Sequence, residues 1–582
     1  MTVRRFFSAL VNYLPRHNPT RRPGNLPVKL RLMPLLTVAL LIVLVALPLL
    51  FILLQALFPA LSEGSLAGAF STIPALLRDP ELPTLLVGTL KTGVGVALFS
   101  ALLGIPLGTL RGLFHLPLAR VWDVLLLIPF LTPPYIAALS WMLALQQNGY
   151  LMQLGGPNLN TLLFSQTGIM LIMTLNIFPV VYFAVSRSML ASGQRLATVA
   201  RVHGASAWRA FWHVSLPMAL PALAAGVLLA FTLAIEEFGV PAALGPRAGV
   251  VMLTVGIEQR LADWPIDLPG ASLLSVMLVL IALAAFALQK PLTGNKEVTS
   301  ITGKPAQSSP VLLGVWKIPV MALFTLVSVV VVAMPLCSLY VTALMSTLSG
   351  GLHLANLTDR HFVALFAQQS EALSALSTSV GLAMGAAAIT GVLGFLAAWL
   401  VVEGKMRGAK IIDALSLLPA AIPGVVVGVG LILLWNRSFW PVSPYNSWAI
   451  LLLSYCCILL PWPVRYVGSA LKQIGGNLEP AARVHGASSL QALRHIILPL
   501  VFPSLLAAML MVFAIASREL VTSLLLAPAG TQTVAVFIWR QFEQGSVGQG
   551  MAMASIAMTV SLLLMLAALA LLQKQGKASD LS

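Results

Sequence analysis

The residues in this chain whose types and spacing could do chemistry occur as matched pairs. The heptapeptide Ala-Arg-Val-His-Gly-Ala-Ser stands at residues 200–206 and again, unchanged, at residues 482–488. Two ionisable pairs, Glu236–Glu237 and Arg518–Glu519, are also separated by 282 residues and lie at the ends of apolar stretches. In each heptapeptide the glycine permits a backbone geometry that a side chain would hinder. The small alanines leave a shallow surface for close packing. The sequence therefore predicts a repeated, solvent-exposed turn that contacts another protein.

Histidines accompany both copies, at positions 203 and 213 and at positions 485 and 495. A separation of ten residues is not a metal-ligand spacing on a helix, and no acidic or cysteine cluster stands beside them. The three cysteines, at 337, 456 and 457, lie in apolar stretches without Cys-x-x-Cys spacing. We therefore expect surface or docking histidines, no metal site, no catalytic residue and no cofactor bound by this chain.

The elements that position these residues are apolar. Of the 582 residues, 58% are hydrophobic and 9% are charged, whereas soluble domains carry about 25% charged residues. A bilayer-spanning helix needs about 20 predominantly apolar residues. Twelve stretches qualify, at about 33–58, 89–110, 122–146, 165–186, 219–237, 269–289, 315–342, 376–402, 411–435, 447–468, 501–526 and 550–572. The expected fold is an all-α polytopic membrane protein of about 12 transmembrane helices.

The net charge of +16 follows the expected topology. Most of the 34 lysines and arginines fall in segments on the side of the basic N-terminal stretch, and most of the 18 acids fall on the opposite side. This is the positive-inside asymmetry of membrane proteins. We expect a multi-pass protein of the bacterial inner membrane, with both termini cytoplasmic. The basic excess encodes orientation in the lipid bilayer rather than a nucleic-acid partner.

The two halves of the chain are repeats of one unit. Many landmark residues recur at a fixed offset of 282 or 290 residues: Pro129, Pro133, Pro179, Pro217, Pro221 and Phe231 match Pro419, Pro423, Pro461, Pro499, Pro503 and Phe513. The resulting organisation is a cytoplasmic tail (1–32), a first half of six spans (33–289), a linker (290–314), a second half of six spans (315–572) and a C-terminal tail (573–582). An even number of spans per half makes the repeats parallel, related by an axis along the membrane normal.

The residues on either side of each heptapeptide predict a helix–turn–helix segment. The first ARVHGAS segment (about 196–217) and the second (about 478–499) each read as a helix, a turn at the glycine, and a second helix that ends at Leu-Pro. In both, the proline is the thirteenth residue after the glycine. This pattern resembles the EAA motif of ABC-importer permeases, although Thr198 and Pro480 stand where that motif has its glutamate. The whole chain is similar to two fused halves of a type I importer permease, most like the group that imports ferric iron, thiamine, phosphonate or polyamine.

The resemblance implies a function. In that family the motif forms a coupling helix that docks on a separate ATPase, so the implied coupling residues are Ala200, Arg201, Gly204, Ala205, Ser206 and Pro217, with Ala482, Arg483, Gly486, Ala487, Ser488 and Pro499. It also implies two copies of a cytoplasmic ATPase, which would bind the ATP and Mg²⁺, and an extracytoplasmic solute-binding protein. The chain has no Gly-x4-Gly-Lys-Ser/Thr phosphate loop of its own. Ferric iron is the expected substrate.

Two interpretations of Glu236, Glu237, Arg518 and Glu519 stay open. Ionisable groups near membrane depth are costly and usually face a cavity or a partner, which favours the outer mouth or gate of a translocation path. They could equally lie at headgroup level, or lock the halves together through Arg518 and an acid. For the matched proline pairs, the favoured interpretation is that they bend helices. The alternative is that they form a hinge that moves during transport.

Two other classes of protein share part of this pattern. A secondary transporter of the major-facilitator kind also has twelve spans in parallel halves, but it needs coupling carboxylates within its spans and does not need the repeated cytoplasmic phrase. A membrane assembly scaffold without transport is the third alternative, which a transport assay would distinguish.

Overall fold

A computed structural model describes residues 28–190, 194–293, 311–368, 370–403, 408–438, 440–474 and 478–579. Helices account for nearly all regular structure in these ranges, which confirms the all-α fold. One short parallel pair joins Phe114–His115 to Val311–Leu312. The predicted N-terminal tail up to residue 27, most of the predicted linker (294–310) and the last three residues of the predicted C-terminal tail lie outside the described residues.

The first half has the following elements. Its α-helices are Val28–Leu41, Leu47–Leu57, Thr72–Leu77, Glu81–Leu113, Ala119–Leu131, Pro134–Leu145, Tyr150–Gln153, Asn160–Leu163, Gln166–Ser188, Gln194–Val202, Ala207–Ala210, Leu216–Glu236, Gly239–Ala248, Leu253–Ala262 and Leu268–Thr293. Short π-helical segments occupy Ile42–Ala46 and Phe211–Ser215, and Pro59–Glu63 forms a 3₁₀ turn.

The second half repeats this order. Its α-helices are Lys317–Ser328, Met334–Ala343, Arg360–Leu365, Glu371–Glu403, Ala409–Leu417, Gly424–Trp435, Trp448–Leu459, Pro461–Ile474, Leu478–Val484, Ser489–Ala492, Leu498–Ala516, Val521–Leu526, Val534–Glu543 and Val547–Ser579. The π-helical segments are Val329–Ala333 and Leu493–Ile497, and 3₁₀ turns lie at Gly314–Trp316, Leu354–Asn356 and Leu418–Ala421. The last helix therefore extends into the stretch expected to be a tail.

Nine helices of the described chain are long and apolar enough to cross a membrane, and four bent helix pairs could raise the number to 13. The predicted spans at 122–146 and 411–435 are two of these pairs, bent by 97° and 114°. Each break lies at a matched proline, Pro133 or Pro423, because proline removes a backbone donor and clashes with the preceding turn. The expected bending is thus confirmed at Pro133 and Pro423, whereas Pro129 lies inside Ala119–Leu131.

The second helix of each ARVHGAS segment does not end at Leu-Pro, so that expectation is wrong. Residues Ala207–Glu236 and Leu490–Ala516 are each one continuous span that runs through the Leu-Pro pair. The π-helical segment lies immediately before it, and the Leu216 N–H donates to the Phe211 carbonyl oxygen five residues back. This wider turn lets Pro217 and Pro499 enter the first turn of the following helix, where the missing N–H is tolerated.

Close helix packing in the first half depends on small residues. Gly104, Gly108 and Gly112 recur every fourth residue on Glu81–Leu113, and this face packs against Gln166–Ser188. A Cβ at Gly108 would come within 2.7 Å of the Tyr182 carbonyl oxygen. Small residues at this spacing let the backbones of membrane helices approach closely.

Internal contacts divide the chain into two compact units that differ from the sequence halves. One unit combines Met1–Ala69, Ala367–Trp539 and Ile556–Ser582, and the other combines Phe70–Phe366 with Arg540–Ser555. In the first unit Leu47–Leu57 packs on Gly424–Trp435, and in the second Met334–Ala343 packs on Pro134–Leu145. The first apolar helix of each half therefore packs among helices of the other half.

Candidate functional site

The heptapeptide at 200–206 encodes one complete helix-to-helix turn. The helix Gln194–Val202 ends in a left-handed glycine, Gly204, whose φ is +90°. The Ala205 N–H donates to the Ala200 carbonyl oxygen (3.0 Å), and the Gly204 N–H donates to that of Arg201 (3.0 Å). This is the Schellman arrangement, which satisfies carbonyl groups left open at a helix end. Ser206 then caps the next helix, because its Oγ accepts from the Arg209 N–H (3.2 Å).

The second heptapeptide builds the same turn. Gly486 has a φ of +87°, and the Ala487 N–H donates to the Ala482 carbonyl oxygen (3.1 Å). Ser488 Oγ accepts from the Gln491 N–H (3.3 Å), while Gln491 Oε1 accepts from the Ser488 N–H (2.8 Å). This reciprocal capping box is absent from the first segment, where Arg209 occupies the corresponding position and has no acceptor to offer.

Both turns are exposed in the described chain. Gly204 and Gly486 are exposed, and an added Cβ would meet no atom within 4 Å at either position. The valine of each copy is largely exposed, Val202 by 80% and Val484 by 85%. Arg201, Ser206, Pro217, Ser488 and Pro499 are also exposed, whereas Ala200, Ala205, Ala482 and Ala487 are half-buried. The side chain of Arg483 lies outside the described residues.

The histidines bond locally in these segments. Nδ1 of His213 lies 3.1 Å from the Arg209 carbonyl oxygen, and Nδ1 of His495 lies 3.1 Å from that of Gln491. His485 Nδ1 lies 2.9 Å from the Ala481 carbonyl oxygen. Among the residues that the structure describes, no group of three or more histidine, cysteine, aspartate and glutamate side chains could hold a metal ion. Each of these three imidazoles contacts the backbone of its own helix.

Glu237 and Glu519 occupy equivalent capping positions. Glu237 Oε1 accepts a hydrogen bond from the Gly239 N–H (2.7 Å), at the start of Gly239–Ala248. Glu519 Oε2 accepts from the Thr522 hydroxyl (2.7 Å) and N–H (3.1 Å), at the start of Val521–Leu526. A carboxylate at a helix N-terminus satisfies open donors and faces the positive end of the helix dipole. Each glutamate therefore caps the short helix that follows the long membrane span.

Glu236 and Arg518 immediately precede these caps and differ from each other. Glu236 Oε1 is buried and has no hydrogen-bond partner among the described residues. Arg518 is buried, and its Nε donates to the Ala514 carbonyl oxygen (3.1 Å) while Nη2 lies 3.7 Å from the Met565 sulfur. A buried side-chain oxygen without a partner carries an appreciable desolvation cost.

Reading the sequence did not identify two features of the segments. Trp208, Phe211 and Trp212 form an aromatic cluster on the first segment, with the two indole centroids 5.4 Å apart. Their second-half counterparts are Leu490, Leu493 and Arg494. Comparing the copies beyond the identical heptapeptide could have found this difference, as well as the Ser488–Gln491 capping box.

Comparison with known proteins places these features in context. Residues 100–293 and 390–576 each match the family described as a binding-protein-dependent transport system inner membrane component. One match falls in each half and contains one ARVHGAS segment. The duplication seen in the residues is therefore a duplication of a recognised domain.

Individual relatives carry transport names. The chain is 26% identical over 466 residues to the ferric transport system permease protein FbpB of Actinobacillus pleuropneumoniae, covering 77% of this chain and 65% of the relative. It is 26% identical to a putative ferric transport system permease protein FbpB 1 of Haemophilus influenzae, covering 72% and 66%. A putative 2-aminoethylphosphonate transport system permease protein PhnV of Salmonella typhimurium is 27% identical over 226 residues, covering 38% and 84%. The chain thus spans just under two thirds of the length of the two ferric relatives.

Proposed function

Because this chain belongs to the family of binding-protein-dependent transport system inner membrane components, as a fusion of two such domains, we propose that it is the permease of an ATP-driven importer. It takes solute from an extracytoplasmic binding protein and moves it into the cytoplasm by alternating access. Two copies of a separate cytoplasmic ATPase bind and hydrolyse ATP with Mg²⁺, one at each ARVHGAS segment. Both termini are cytoplasmic.

One observation carries this proposal: the same exposed turn is built twice, and each copy continues directly into a long span. Ala207–Glu236 has 30 residues and Leu490–Ala516 has 27. At a rise of 1.5 Å per residue these helices are about 45 and about 40 Å long. A helix of this length transmits displacement of its cytoplasmic end to its far end. The residues there are Glu236 and Glu237 in one half, and Arg518 and Glu519 in the other.

The proposed coupling contacts are the residues around each turn. Gly204 and Gly486 supply the left-handed backbone, the neighbouring alanines keep the surface shallow, and Ser206 and Ser488 start the second helix. Pro217 and Pro499 mark where that helix enters the membrane span. Arg201 and Arg483 give both segments positive charge.

The far-end residues serve the translocation path in this proposal. Glu236 in the first half and Arg518 in the second are candidate residues of that path, and Glu237 and Glu519 cap the helices that follow the two long spans. Ferric iron is the proposed substrate, supported by the names of the two ferric relatives; 2-aminoethylphosphonate, thiamine and polyamine are the alternatives. Uptake of labelled ferric iron into proteoliposomes that contain the whole transporter, measured against these three solutes, tests the choice.

The double variant Gly204→Asp with Gly486→Asp tests the permease assignment. Both positions are open to solvent, so the variant is expected to reach the membrane in normal amount but to lose its ATPase and its transport. A variant that still co-purifies stoichiometric ATPase and transports at the wild-type rate would refute the assignment. The matched control is Gly155→Asp, a left-handed glycine of equal openness outside both segments.

A further inference from the structure

The two ARVHGAS segments present unequal apolar surfaces next to identical turns. Beside Val202, the first segment exposes Trp208, which is 69% exposed. Beside Val484, the second exposes Leu490, which is 53% exposed and stands 282 residues after Trp208. The heptapeptides are identical, and the tryptophan and the leucine stand two residues after the last heptapeptide residue.

The surroundings of the two residues strengthen this difference. The Trp208 indole is held by neighbouring rings, at centroid distances of 6.5 Å from Phe211 and 5.4 Å from Trp212. An indole braced in this way loses little side-chain freedom when a partner covers it. Leu490 has a leucine and an arginine at the corresponding positions. The first segment thus offers a larger and more rigid apolar anchor.

The duplication of the exposed turn indicates what kind of partner binds it. Two identical exposed turns, in two otherwise divergent halves, fit a partner that presents the same surface twice. A partner of two identical subunits meets this description. Aromatic anchors in such interfaces contribute more binding energy than aliphatic ones.

We propose that the two ARVHGAS segments bind identical ATPase subunits with unequal affinity, and that Trp208 makes the first segment the tighter site. The proposal rests on the proposed function, because it takes the ATPase as the partner. Its consequence is a functional asymmetry: one subunit of a symmetric motor is held firmly at the first half, while the subunit at the second half exchanges more readily.

The residues themselves provide a swap experiment. The permease is placed in nanodiscs, and its affinity for the purified, co-expressed ATPase subunit is measured for Trp208→Leu, Leu490→Trp and the double swap. Loss of roughly 50 Å² of apolar contact corresponds to a change in Kd of about fivefold to tenfold. Trp208→Leu is expected to weaken binding by that factor and Leu490→Trp to strengthen it similarly. The double swap is expected to return the overall Kd to within about twofold of the wild-type value.

Trp316 provides the matched control, since it is 66% exposed and lies outside both segments. Trp316→Leu is expected to leave the Kd unchanged. If Trp208→Leu also leaves it unchanged while Gly204→Asp with Gly486→Asp abolishes binding, the inequality is wrong and the proposed function stands. If Trp208→Leu lowers only membrane association, the residue is an interfacial anchor and the inequality is again wrong. If the wild-type chain does not bind the ATPase at all, the proposed function itself fails.

Discussion

The left-handed glycines give the sharpest prediction about the proposed docking turns. At Gly204 and Gly486 the φ values are +90° and +87°, and a Cβ would meet no atom within 4 Å. Replacement therefore acts through the backbone dihedral and not through a clash. A residue with a Cβ costs roughly 1–2 kcal/mol in the left-handed region. Asparagine tolerates that region best, and a β-branched residue tolerates it worst.

Graded substitution should therefore produce a graded loss of docking. Since about 1.4 kcal/mol is a factor of ten, we expect alanine at one glycine to weaken ATPase binding about tenfold. Alanine at both glycines should weaken binding about tenfold at each segment, because each segment is proposed to hold its own ATPase subunit. The Gly204→Asn, Gly486→Asn variant should lose much less, and the double valine variant should lose more than double alanine.

The assay is the affinity of the purified ATPase subunit for each variant in nanodiscs, with monodispersity in detergent as the measure of folding. Unchanged monodispersity with Kd values in the order Gly, Asn, Ala, Val would support the dihedral argument. Equal Kd values for the double asparagine and double valine variants would refute it, because side-chain volume alone would not separate them in open space.

Three further predictions follow from packing, capping and charge. Gly108→Val should lower the thermal midpoint in detergent, because even its Cβ would lie 2.7 Å from the Tyr182 carbonyl oxygen and overpacking typically costs about 1–3 kcal/mol; an unchanged midpoint would contradict the helix contact. Glu519→Ala should lower the midpoint more than Glu237→Ala, because Glu519 also accepts a hydrogen bond from the Thr522 hydroxyl. A hydrogen bond to a charged group contributes about 1.5–3 kcal/mol. Equal losses would argue against the capping difference. Hydrogen bonds from the Glu81 N–H and the Arg260 guanidinium lower the pKa of Asp79. The ionised Asp79 therefore stabilises the folded protein above its unfolded pKa of about 3.9. This stabilisation is lost as the pH falls through the lower pKa of the folded state. The midpoint should therefore drop as the pH falls below about 4, and Asp79→Asn should reduce that drop.

Several features could be predicted from the sequence because they depend on local chemistry. The glycine turn is one, since a left-handed backbone strongly favours glycine, and Gly204 and Gly486 both have positive φ values. The breaks at Pro133 and Pro423 are another, because proline removes a donor wherever it stands. The repeat itself was visible in residue spacing alone, and the match of residues 100–293 and 390–576 to one family confirms it.

Other features depend on tertiary context. The continuation of each second helix through Leu-Pro required the π-helical segment before it, which no residue pattern signals. The bent pair Gly239–Ala248 and Leu253–Ala262 was missed because its helices are short and carry Arg247, Glu258 and Arg260. The packing of each first apolar helix among helices of the other half involves residues hundreds of positions apart. Hydrophobic periodicity specifies an apolar face but does not select its partner.

The most direct test of the proposed function is sided cross-linking at the two turns. Ser206→Cys and Ser488→Cys place thiols at exposed positions of each ARVHGAS segment. We expect a membrane-impermeant maleimide to label both thiols only from the cytoplasmic side and bound ATPase to protect both. A short bifunctional reagent should join each thiol to an ATPase subunit. Labelling of either thiol from the outside of intact cells, or transport by the purified chain without any ATPase, would contradict the proposed function.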